Sequence, residues 1–376
     1  MESGVGLDPK DRQMRVFLCG DVMTGRGIDQ ILPHPGDPRL FEGYLHSALD
    51  YVDLAELASG AIPRGVSLDY IWGDALEEIA RRRCEARIVN LETAVTARGQ
   101  PEPKGINYRM HPANIGCIEA AQVNCCVLAN NHIADWGSQG LLDTLSTLGA
   151  AGLAVAGAGG NEEQATRPAI IPLAQDRRLL VFAFGSPSAG VPRHWAAGPA
   201  RAGVSFLAEF SAESAAAIAE RVARWRRPGD VVVASIHWGP NWGYDIPDEH
   251  RQFARHLIEQ AEVDIIHGHS SHHPVGMEVI HDRPVIYGCG DFINDYEGIS
   301  GHEMFRPELC LAYFVELDDS GRLASLQMVP FGIRKFRLNR LDRKASEWLA
   351  RTLDRECRGF GHGIVLDSGG VLELRR

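Results

Sequence analysis

The sequence lacks the marks of a disulfide-stabilised or membrane-spanning protein. Its 8 cysteines are scattered, none forms a Cys-x-x-Cys pair, and several lie inside apolar runs. This pattern is typical of buried, reduced thiols in a cytosolic protein. No run of about eighteen apolar residues occurs, and residues 1–15 are polar, so we expect neither a transmembrane helix nor a signal peptide. These absences predict a cytoplasmic protein without a membrane anchor.

Basic residues are in the minority. Lys and Arg number 38 against 49 Asp and Glu, which gives a formal net charge of -11. An acidic protein attracts neither nucleic acid nor an anionic membrane surface unless it carries a local basic patch. The one basic stretch that stands out, residues 334–343, is interpreted as a solvated face. We therefore expect no nucleic-acid partner.

Three common catalytic signatures are incomplete. Residues 20–27 have glycines near the spacing of a P-loop but lack its Lys and its Ser or Thr. Residues 157–162 lack the third glycine of a dinucleotide fingerprint. Neither Ser235 nor Ser270 lies in a Gly-x-Ser-x-Gly turn. The sequence therefore favours neither nucleotide binding nor a serine hydrolase.

Alternating strand and helix patterns predict an α/β fold. Apolar runs of strand length, such as residues 15–20 and 231–236, alternate with stretches of helical periodicity. Hairpins are predicted over 169–184 and 276–287, and they indicate a mixed sheet or two packed sheets flanked by helices.

Composition predicts a single main domain. With 45% hydrophobic residues among 376, the chain can bury one large core, and no linker rich in Pro, Gly and Ser divides it. We expect this domain over residues 14–340, with an insertion over 30–67 and a C-terminal helical and strand appendix over 341–376. Asp248 is expected to be the N-cap of one helix. The predicted helices cover residues 45–58, 73–83, 112–121, 137–151, 211–225, 248–261 and 344–356.

Polar residues suited to metal binding follow five of the predicted strands. In chain order they are Asp21, Glu92, Asn131, His132, His237, His267, His269, His272 and His273. Because the carboxyl ends of strands form the ligand crevice of open α/β sheets, we expect these side chains to converge. Taken alone, most of these residues have a structural alternative, either as a residue that stabilises a turn or as a packed and hydrogen-bonded side chain. The four histidines over 267–273 directly follow an apolar strand, and a surface role explains them poorly.

The residue types at these positions favour a transition-metal site. Carboxylate, amide and imidazole ligands together favour Mn, Fe, Zn or Co over Ca or Mg. No cysteine is among them, which argues against a structural zinc. The candidates are too many for one catalytic ion. Two divalent ions about 3.5–4 Å apart, bridged by a carboxylate, would use them all.

Six stretches of the sequence resemble a single family. They are Cys-Gly-Asp-Val-Met-Thr-Gly-Arg over 19–26, Val-Asn-Leu-Glu-Thr over 89–93, Ala-Asn-Asn-His-Ile-Ala-Asp-Trp-Gly over 129–137, Ile-His-Trp-Gly over 236–239, Asp-Ile-Ile-His-Gly-His-Ser-Ser-His over 264–272 and Tyr-Gly-Cys-Gly-Asp-Phe over 287–292. In this order they are similar to the CapA family of poly-γ-glutamate capsule-type proteins, which has a calcineurin-like metallophosphoesterase fold. The resemblance implies a sandwich of two mixed β-sheets flanked by helices, and a dinuclear metal site.

The resemblance also implies roles for individual residues. It makes His132 the acid/base and leaves the assignment among His267, His269 and His272 open. The implied metal ligands are Asp21, Glu92, Asn131, His237 and His269 or His272. Two positions differ from the wider phosphoesterase superfamily, because Met23 stands where its first motif has His and Glu92 where its second has Asp. These differences favour amide hydrolysis or proton transfer at a peptide Cα over phosphoester hydrolysis.

Three functions remain open at this level. A hydrolase would cleave a peptide or γ-glutamyl polymer, with His132 or a second His as acid/base. A peptide Cα epimerase, which some members encoded beside ribosomal (lasso-type) peptide pathways resemble, would use two bases on opposite faces. These would be His132 and one of Asp295, His272 and His273. A non-catalytic protein would bind the polymer as an accessory of capsule assembly.

Four residues near the predicted site are candidates for substrate binding. Arg26, Lys104 and Arg109 lie in loops there. Arg109, together with Lys104, is expected to pair with a substrate carboxylate, because Arg presents a bidentate fork. Trp238 is expected to line the substrate pocket. The alternatives are a surface salt bridge for the basic residues and ordinary packing for Trp238.

Overall fold

A computed structural model of the chain describes residues 14–376. The prediction about the polar N-terminus falls mainly on residues 1–13, which lie outside the described residues. The strands within the described part are β1 (Met14–Val22), β2 (Ala86–Leu91), β3 (Ala94–Val95), β4 (Arg109–Met110), β5 (Cys125–Val127), β6 (Ala154–Ala156), β7 (Ala158–Gly159), β8 (Ala169–Pro172), β9 (Arg178–Gly185), β10 (Gly203–Val204), β11 (Val231–His237), β12 (Ile265–His269), β13 (Met277–Ile280), β14 (Arg283–Ile286), β15 (Asp291–Ile293), β16 (Leu309–Leu317), β17 (Leu323–Arg334), β18 (Arg337–Arg340), β19 (Gly363–Leu366) and β20 (Leu372–Arg375).

The helices of the described part lie between these strands. The α-helices are α1 (Gly27–Ile31), α2 (Ala48–Ser59), α3 (Ala75–Arg81), α4 (Gly116–Glu119), α5 (Gly137–Ala150), α6 (Glu162–Thr166), α7 (Ala212–Trp225), α8 (Asp248–Gln260) and α9 (Arg343–Arg358). Short 3-10 turns cover Tyr70–Trp72, Pro112–Asn114, Pro187–Ala189, Arg193–Trp195 and Glu303–Phe305. None of the helices in residues 14–376 is long and apolar enough to cross a membrane.

A ten-stranded mixed sheet forms one layer of the described structure. Its order is β19-β20-β17-β16-β1-β2-β5-β6, with β15 beside β1 and β18 beside β17. Strand β1 is parallel to β2 and β15 and antiparallel to β16. Both β1 and β2 are buried almost throughout, as expected for parallel strands covered on both faces.

A six-stranded sheet forms the second layer, in the order β13-β14-β12-β11-β9-β8. Its four inner strands are parallel, and the edge strands β8 and β13 pair antiparallel with their neighbours. The hairpins predicted over 169–184 and 276–287 are thereby confirmed as β8–β9 and β13–β14.

Alternate residues of the six-stranded sheet belong to different cores. Leu179 and Val181 of β9 join the core that contains the large sheet, whereas Leu180 and Phe182 pack with α7 and α8. This is the period of two that a strand imposes on its side chains. Residues of α2, α3, α5 and α9 join the core of the large sheet. The predicted sandwich of mixed sheets with flanking helices is therefore confirmed.

The C-terminal residues, expected as an appendix over 341–376, contact both sheets. Strand β20 pairs with β17 and extends the large sheet. Beyond α9, His362 Nε2 accepts the Val279 N–H (3.0 Å), and within the helix Cys357 Sγ accepts the Met277 N–H (3.4 Å). Both donors belong to β13, so the C-terminal residues satisfy N–H groups at the edge of the smaller sheet.

Two local predictions are corrected. Asp248 is not the N-cap of α8, because Pro247 occupies that position and Asp248 begins the first turn. Proline fixes its own φ and favours this boundary, and the acidic side chain instead faces the positive end of the helix dipole. The helix predicted over 112–121 is divided into the 3-10 turn Pro112–Asn114 and the short α4, with His111 accepting the Ala113 N–H.

Candidate metal centre

The register of the large sheet places two aspartates side by side. Asp21 in β1 pairs with Asp291 in parallel β15. Each follows a glycine, and the backbones meet there: a Cβ on Gly20 would lie 1.7 Å from the carbonyl oxygen of Gly290, whose own φ is +78°. Glycine is needed at position 20 because of this close approach, and it is favoured at position 290 because of the positive φ. The Asp21 N–H donates to that carbonyl oxygen (3.2 Å), which fixes the two carboxylates relative to each other.

Two groups of candidate metal ligands share Asp21. The first ligand group contains Asp21, His237 and His269, and the second contains Asp21, His272 and Asp291. In each group, one ligand atom from every residue lies within 4.8 Å of the others, and all of these residues are buried. Two groups with one carboxylate in common are the arrangement that a pair of bridged ions requires.

The histidines of the first ligand group are held by neighbours on β11 and β12. Ser235 Oγ lies 2.8 Å from His269 Nε2, which leaves His269 Nδ1 facing Asp21 Oδ1 at 3.9 Å and His237 Nδ1 at 2.8 Å. Burial lowers the pKa of His237 and of His269 well below the ordinary value, so both rings are neutral. Neutral imidazole is the form that binds a metal ion.

The second ligand group is held together by its own contacts. His272 Nδ1 lies 2.9 Å from Asp291 Oδ1, and Asn294 Nδ2 donates to Asp291 Oδ2 at 2.8 Å. Burial lowers the pKa of His272, but Asp291 and then Asp21 outweigh it and raise that pKa above the ordinary value. A histidine paired with two carboxylates in this way leaves excess negative charge at the centre.

The carboxylates of the centre repel one another. Burial and then the charge of Asp291 raise the pKa of Asp21 to about 7. Burial, Asp21 and Asp291 raise the pKa of Glu92 well above its ordinary value. Oδ2 of Asp21 is buried and has no hydrogen-bond partner among the described residues. A divalent cation would offset this repulsion and bind the free oxygen, so this donor set fits transition-metal ions.

Glu92 and Asn131 lie beside the first ligand group. Glu92 Oε1 is 3.9 Å from both His237 Nε2 and His132 Nε2. Asn131 Oδ1 is 3.1 Å from His237 Nε2. Glu92 is further fixed by Asn90, whose Nδ2 donates to Glu92 Oε2 (3.1 Å) and to Asp21 Oδ1 (2.7 Å). Both predicted ligands therefore adjoin the centre, although they are outside the two ligand groups.

His132 is oriented by a carboxylate behind it. Its Nδ1 lies 2.6 Å from Asp135 Oδ2, which also accepts the Tyr108 N–H at 2.7 Å. Lys104 Nζ donates to Asp135 Oδ1 (2.8 Å) and to the Asn131 carbonyl oxygen. Burial lowers the pKa of His132 to about 4, with Asp135 opposing and Lys104 adding to the shift. The ring is therefore neutral, with Nε2 directed towards Glu92.

Two histidines of the cluster over 267–273 lie outside both ligand groups. His267 has Nδ1 3.0 Å from Ser235 Oγ and Nε2 2.8 Å from the Cys19 carbonyl oxygen, so both nitrogens are engaged. His273 Nε2 accepts the Gly243 N–H at 3.2 Å, and its Nδ1 lies 3.2 Å from the Pro274 carbonyl oxygen. Of the histidines left open by the sequence, the geometry groups His269 and His272 with Asp21.

The predicted substrate-binding side chains are engaged within the protein. Arg26 and Asp295 form a buried salt bridge. The guanidinium of Arg109 lies 3.7 Å from the ring centroid of Trp136. Trp238 stacks on His250 at 4.7 Å between ring centroids and is 3% exposed. Lys104 binds Asp135, so all four predicted substrate-binding side chains contact other residues of the protein.

Sequence reasoning missed Asp291, Asn90 and Ser235 as site residues. The signal for Asp291 was present, because Gly290-Asp291 repeats the Gly20-Asp21 pair that ends the first strand. Asn90 and Ser235 lie within apolar strands, where a buried polar side chain requires a partner. Their positions two residues before Glu92 and His237 could have indicated that they support those residues, since alternate residues share a strand face.

Comparison with known proteins decides the family. The family described as "Bacterial capsule synthesis protein PGA_cap" matches residues 15–296. That range contains both ligand groups and His132. The chain belongs to the PGA_cap family.

Curated relatives match most of this PGA_cap chain. The "Probable polyglutamine synthesis accessory protein" of Mycobacterium tuberculosis (strain H37Rv) is 44% identical over 362 residues, which cover 96% of this chain and 95% of the relative. The "PGA biosynthesis protein CapA" of Bacillus subtilis (strain 168) is 24% identical over 314 residues, covering 83% and 70%. The resemblance to the CapA family inferred from the six motifs is confirmed.

A match among the solved structures was also found for this PGA_cap chain. It is described as "GAP50 the anchor in the inner membrane complex of Plasmodium", and the match covers 88% of this chain and 90% of that one. The identity is 11% and the TM-score 0.32. At this level the match carries no argument about fold or function.

Proposed function

We propose that this protein is a dinuclear metal-dependent hydrolase that cleaves amide bonds of a polyglutamate-like substrate. The observation that carries this proposal is the position of Asp21 in both ligand groups. A buried carboxylate common to two groups of ligands is suited to bridging two ions, whereas a structural zinc site is a closed set of four ligands rich in cysteine.

Each ligand group would bind one of the two ions. His237 and His269 would hold one ion, His272 and Asp291 the other, and Asp21 both. Bound divalent ions supply Lewis-acid activation of water and of a carbonyl oxygen. Glu92 and Asn131 adjoin His237, and they would complete the first site or orient water beside it.

His132 would transfer the proton in the cleavage of the amide. Asp135 accepts a hydrogen bond from Nδ1 at 2.6 Å, which leaves Nε2 unprotonated in the neutral ring. Nε2 can therefore accept a proton from the attacking water and donate it to the nitrogen of the leaving amine. The C–N bond breaks as that nitrogen is protonated, and the products are a carboxylate and an amine. The pair of His132 and Asp135 lies beside Glu92 and outside the two ligand groups, which supports a role for His132 as acid/base and not as a ligand.

The geometry favours hydrolysis over Cα proton transfer. Epimerisation needs a second base opposite His132, and the predicted candidates were Asp295, His272 and His273. Asp295 is paired with Arg26, His272 belongs to a ligand group, and both nitrogens of His273 are engaged by the backbone. Hydrolysis needs only one acid/base, the role proposed for His132.

The names of the relatives support the substrate class. The relative from Mycobacterium tuberculosis is named for polyglutamine synthesis, and that from Bacillus subtilis for PGA biosynthesis. Because the relative that is 44% identical is called an accessory protein, binding without turnover is the alternative that the experiment must separate.

The test is incubation of the purified protein with poly-γ-glutamate and Mn²⁺, Zn²⁺, Fe²⁺ or Co²⁺, with new amines measured by fluorescamine. We expect metal-dependent amine release by the wild type and a loss of about 100-fold or more in kcat for His132→Gln. His281→Gln, whose side chain is 64% exposed, is the matched control and should retain full activity.

Two other outcomes would contradict the proposal. Incubation in D2O that gives deuterium at Cα without new amines would indicate an epimerase. Saturable polymer binding with neither change, at full metal loading, would indicate an accessory protein.

A further inference from the structure

We propose that Arg26 is a positioning residue that connects the insertion over 30–67 to both the turn over residues 132–135, here called the acid/base turn, and the second ligand group. Only the catalytic part of this proposal rests on the hydrolase function proposed above. Arg26 is 2% exposed and adopts a φ of +49°. A positive φ is uncommon for a residue with a side chain, and the many contacts of the guanidinium offset the cost of this conformation.

Arg26 contacts the acid/base turn through Tyr108. The guanidinium carbon lies 4.4 Å from the Tyr108 ring centroid. The same ring meets His132 edge-to-face, with centroids 4.5 Å apart. The Tyr108 N–H donates to Asp135, the carboxylate that orients His132. A shift of Tyr108 would therefore move both members of the proton-transferring pair.

Arg26 contacts the second ligand group through Asp295 and Tyr296. Its Nε donates to Asp295 Oδ2 at 3.2 Å and its Nη2 to Asp295 Oδ1, so the pair is bidentate. The Gly27 N–H also donates to Asp295 Oδ2 (2.9 Å). The neighbouring Tyr296 packs its ring against His272, with centroids 5.3 Å apart. Asp295 thus holds the segment that follows Asp291.

Arg26 contacts the insertion through Glu42 and Tyr51. Nη1 donates to Glu42 Oε1 (3.1 Å) and to Tyr51 Oη (2.7 Å), and the guanidinium carbon lies 3.8 Å from the Tyr51 ring centroid. Glu42 is 3% exposed, whereas its neighbour Phe41 is 53% exposed. The buried carboxylate of Glu42 therefore connects this exposed loop of the insertion to Arg26.

Arginine is required at this position because one side chain makes all three connections. The planar guanidinium binds Asp295 with one edge, Glu42 and Tyr51 Oη with the other, and stacks on aromatic rings with its faces. A lysine keeps the charge but has neither the fork nor the faces. Arg26→Lys therefore separates this role from a simple requirement for positive charge.

The test combines hydrogen exchange with kinetics on the metal-loaded full chain. For Arg26→Lys we expect faster amide exchange over 39–47, 106–110 and 293–297. With poly-γ-glutamate as the probe we expect kcat to fall by about 10- to 100-fold while KM changes by less than about twofold. Metal content should stay at the wild-type value, because the contacts of Arg26 with the second ligand group are indirect and run through Asp295 and Tyr296.

Glu42→Gln keeps the pair between Arg26 and Asp295, and it serves if Arg26→Lys does not fold. We expect faster exchange over 39–47 and a smaller fall in kcat for this variant. Asp53→Asn, which removes an exposed carboxylate of α2, is the matched control and should behave as the wild type. If the rates of amide hydrogen exchange in Glu42→Gln and in folded Arg26→Lys equal those of the wild type, the proposal is overturned. If the wild type does not cleave the polymer, the hydrolase function fails while the exchange data still decide the role of Arg26.

Discussion

Asp21 and Asp291 occupy paired positions on the parallel strands β1 and β15 of the large sheet. Two buried carboxylates at paired positions of adjacent strands are unfavourable without a cation. The two Gly-Asp steps that bring them together have a backbone contact that a side chain would prevent. This relationship is the basis of the assignment of a second ligand group, and it makes Asp291 the first residue to test.

Asp291→Asn should remove one ion and leave the other. The substitution deletes a charged ligand of the second group and the partner of His272 Nδ1, but none of the first group. We expect the metal content, measured by mass spectrometry after dialysis, to fall from about two ions per chain to about one. Asp318→Asn, which alters a carboxylate in the turn between β16 and β17, is the control. An unchanged count in Asp291→Asn would place the second ion elsewhere.

Ser235→Ala should weaken metal binding without unfolding the protein. Its hydroxyl lies between His269 Nε2 and His267 Nδ1 and fixes the orientation of both rings. Loss of such an outer hydrogen bond costs metal affinity about 10- to 100-fold. Competition with a chromogenic chelator measures the affinity, and Ser325→Ala, at a serine that donates to Glu316, provides the control. Equal affinity in the two variants would mean that His269 is not a ligand.

Leu353→Ala should destabilise the whole protein, because α9 belongs to the main core. Leu353 is fully buried there, and truncation of a buried leucine costs about 2–5 kcal/mol of unfolding free energy. Denaturation in urea, followed by circular dichroism, should show one cooperative transition at a lower midpoint. Leu57→Ala, at a side chain that is 85% exposed, should leave the midpoint unchanged. A separate early transition in Leu353→Ala would instead show that residues 341–376 form an independent unit.

Sequence patterns predicted the α/β fold because several of its strands are long and apolar, whereas the sandwich of two sheets was implied by the family resemblance. Strands β1 and β11 are buried on both faces, and such runs are recognisable without knowledge of the partner. Asp21 and the histidine cluster were found for the same reason, since a polar residue that ends an apolar strand stands out.

Other features depend on contacts between distant segments and could not be read from local patterns. Strand β15 has three residues, and only its pairing with β1 brings Asp291 to Asp21. Arg26 lies in a loop near the predicted site, and on that ground it was predicted to bind substrate. Its partners come from residues 16 to 269 positions away in the chain, and no local pattern predicts that they surround it. The choice among the histidines depended likewise on whether each ring faces Asp21 or a backbone carbonyl.

The central claim is that Asp21 bridges two ions, and the metal content of Asp21→Asn tests it most directly. Wild type and variant are loaded with Mn²⁺ or Zn²⁺, dialysed, and their metal-to-protein ratios measured by inductively coupled plasma mass spectrometry. A neutral amide cannot replace the bridging carboxylate, so the account predicts about two ions per wild-type chain and strong loss of both from the folded variant. A variant that retains both ions, or a folded wild type that binds none, would contradict it.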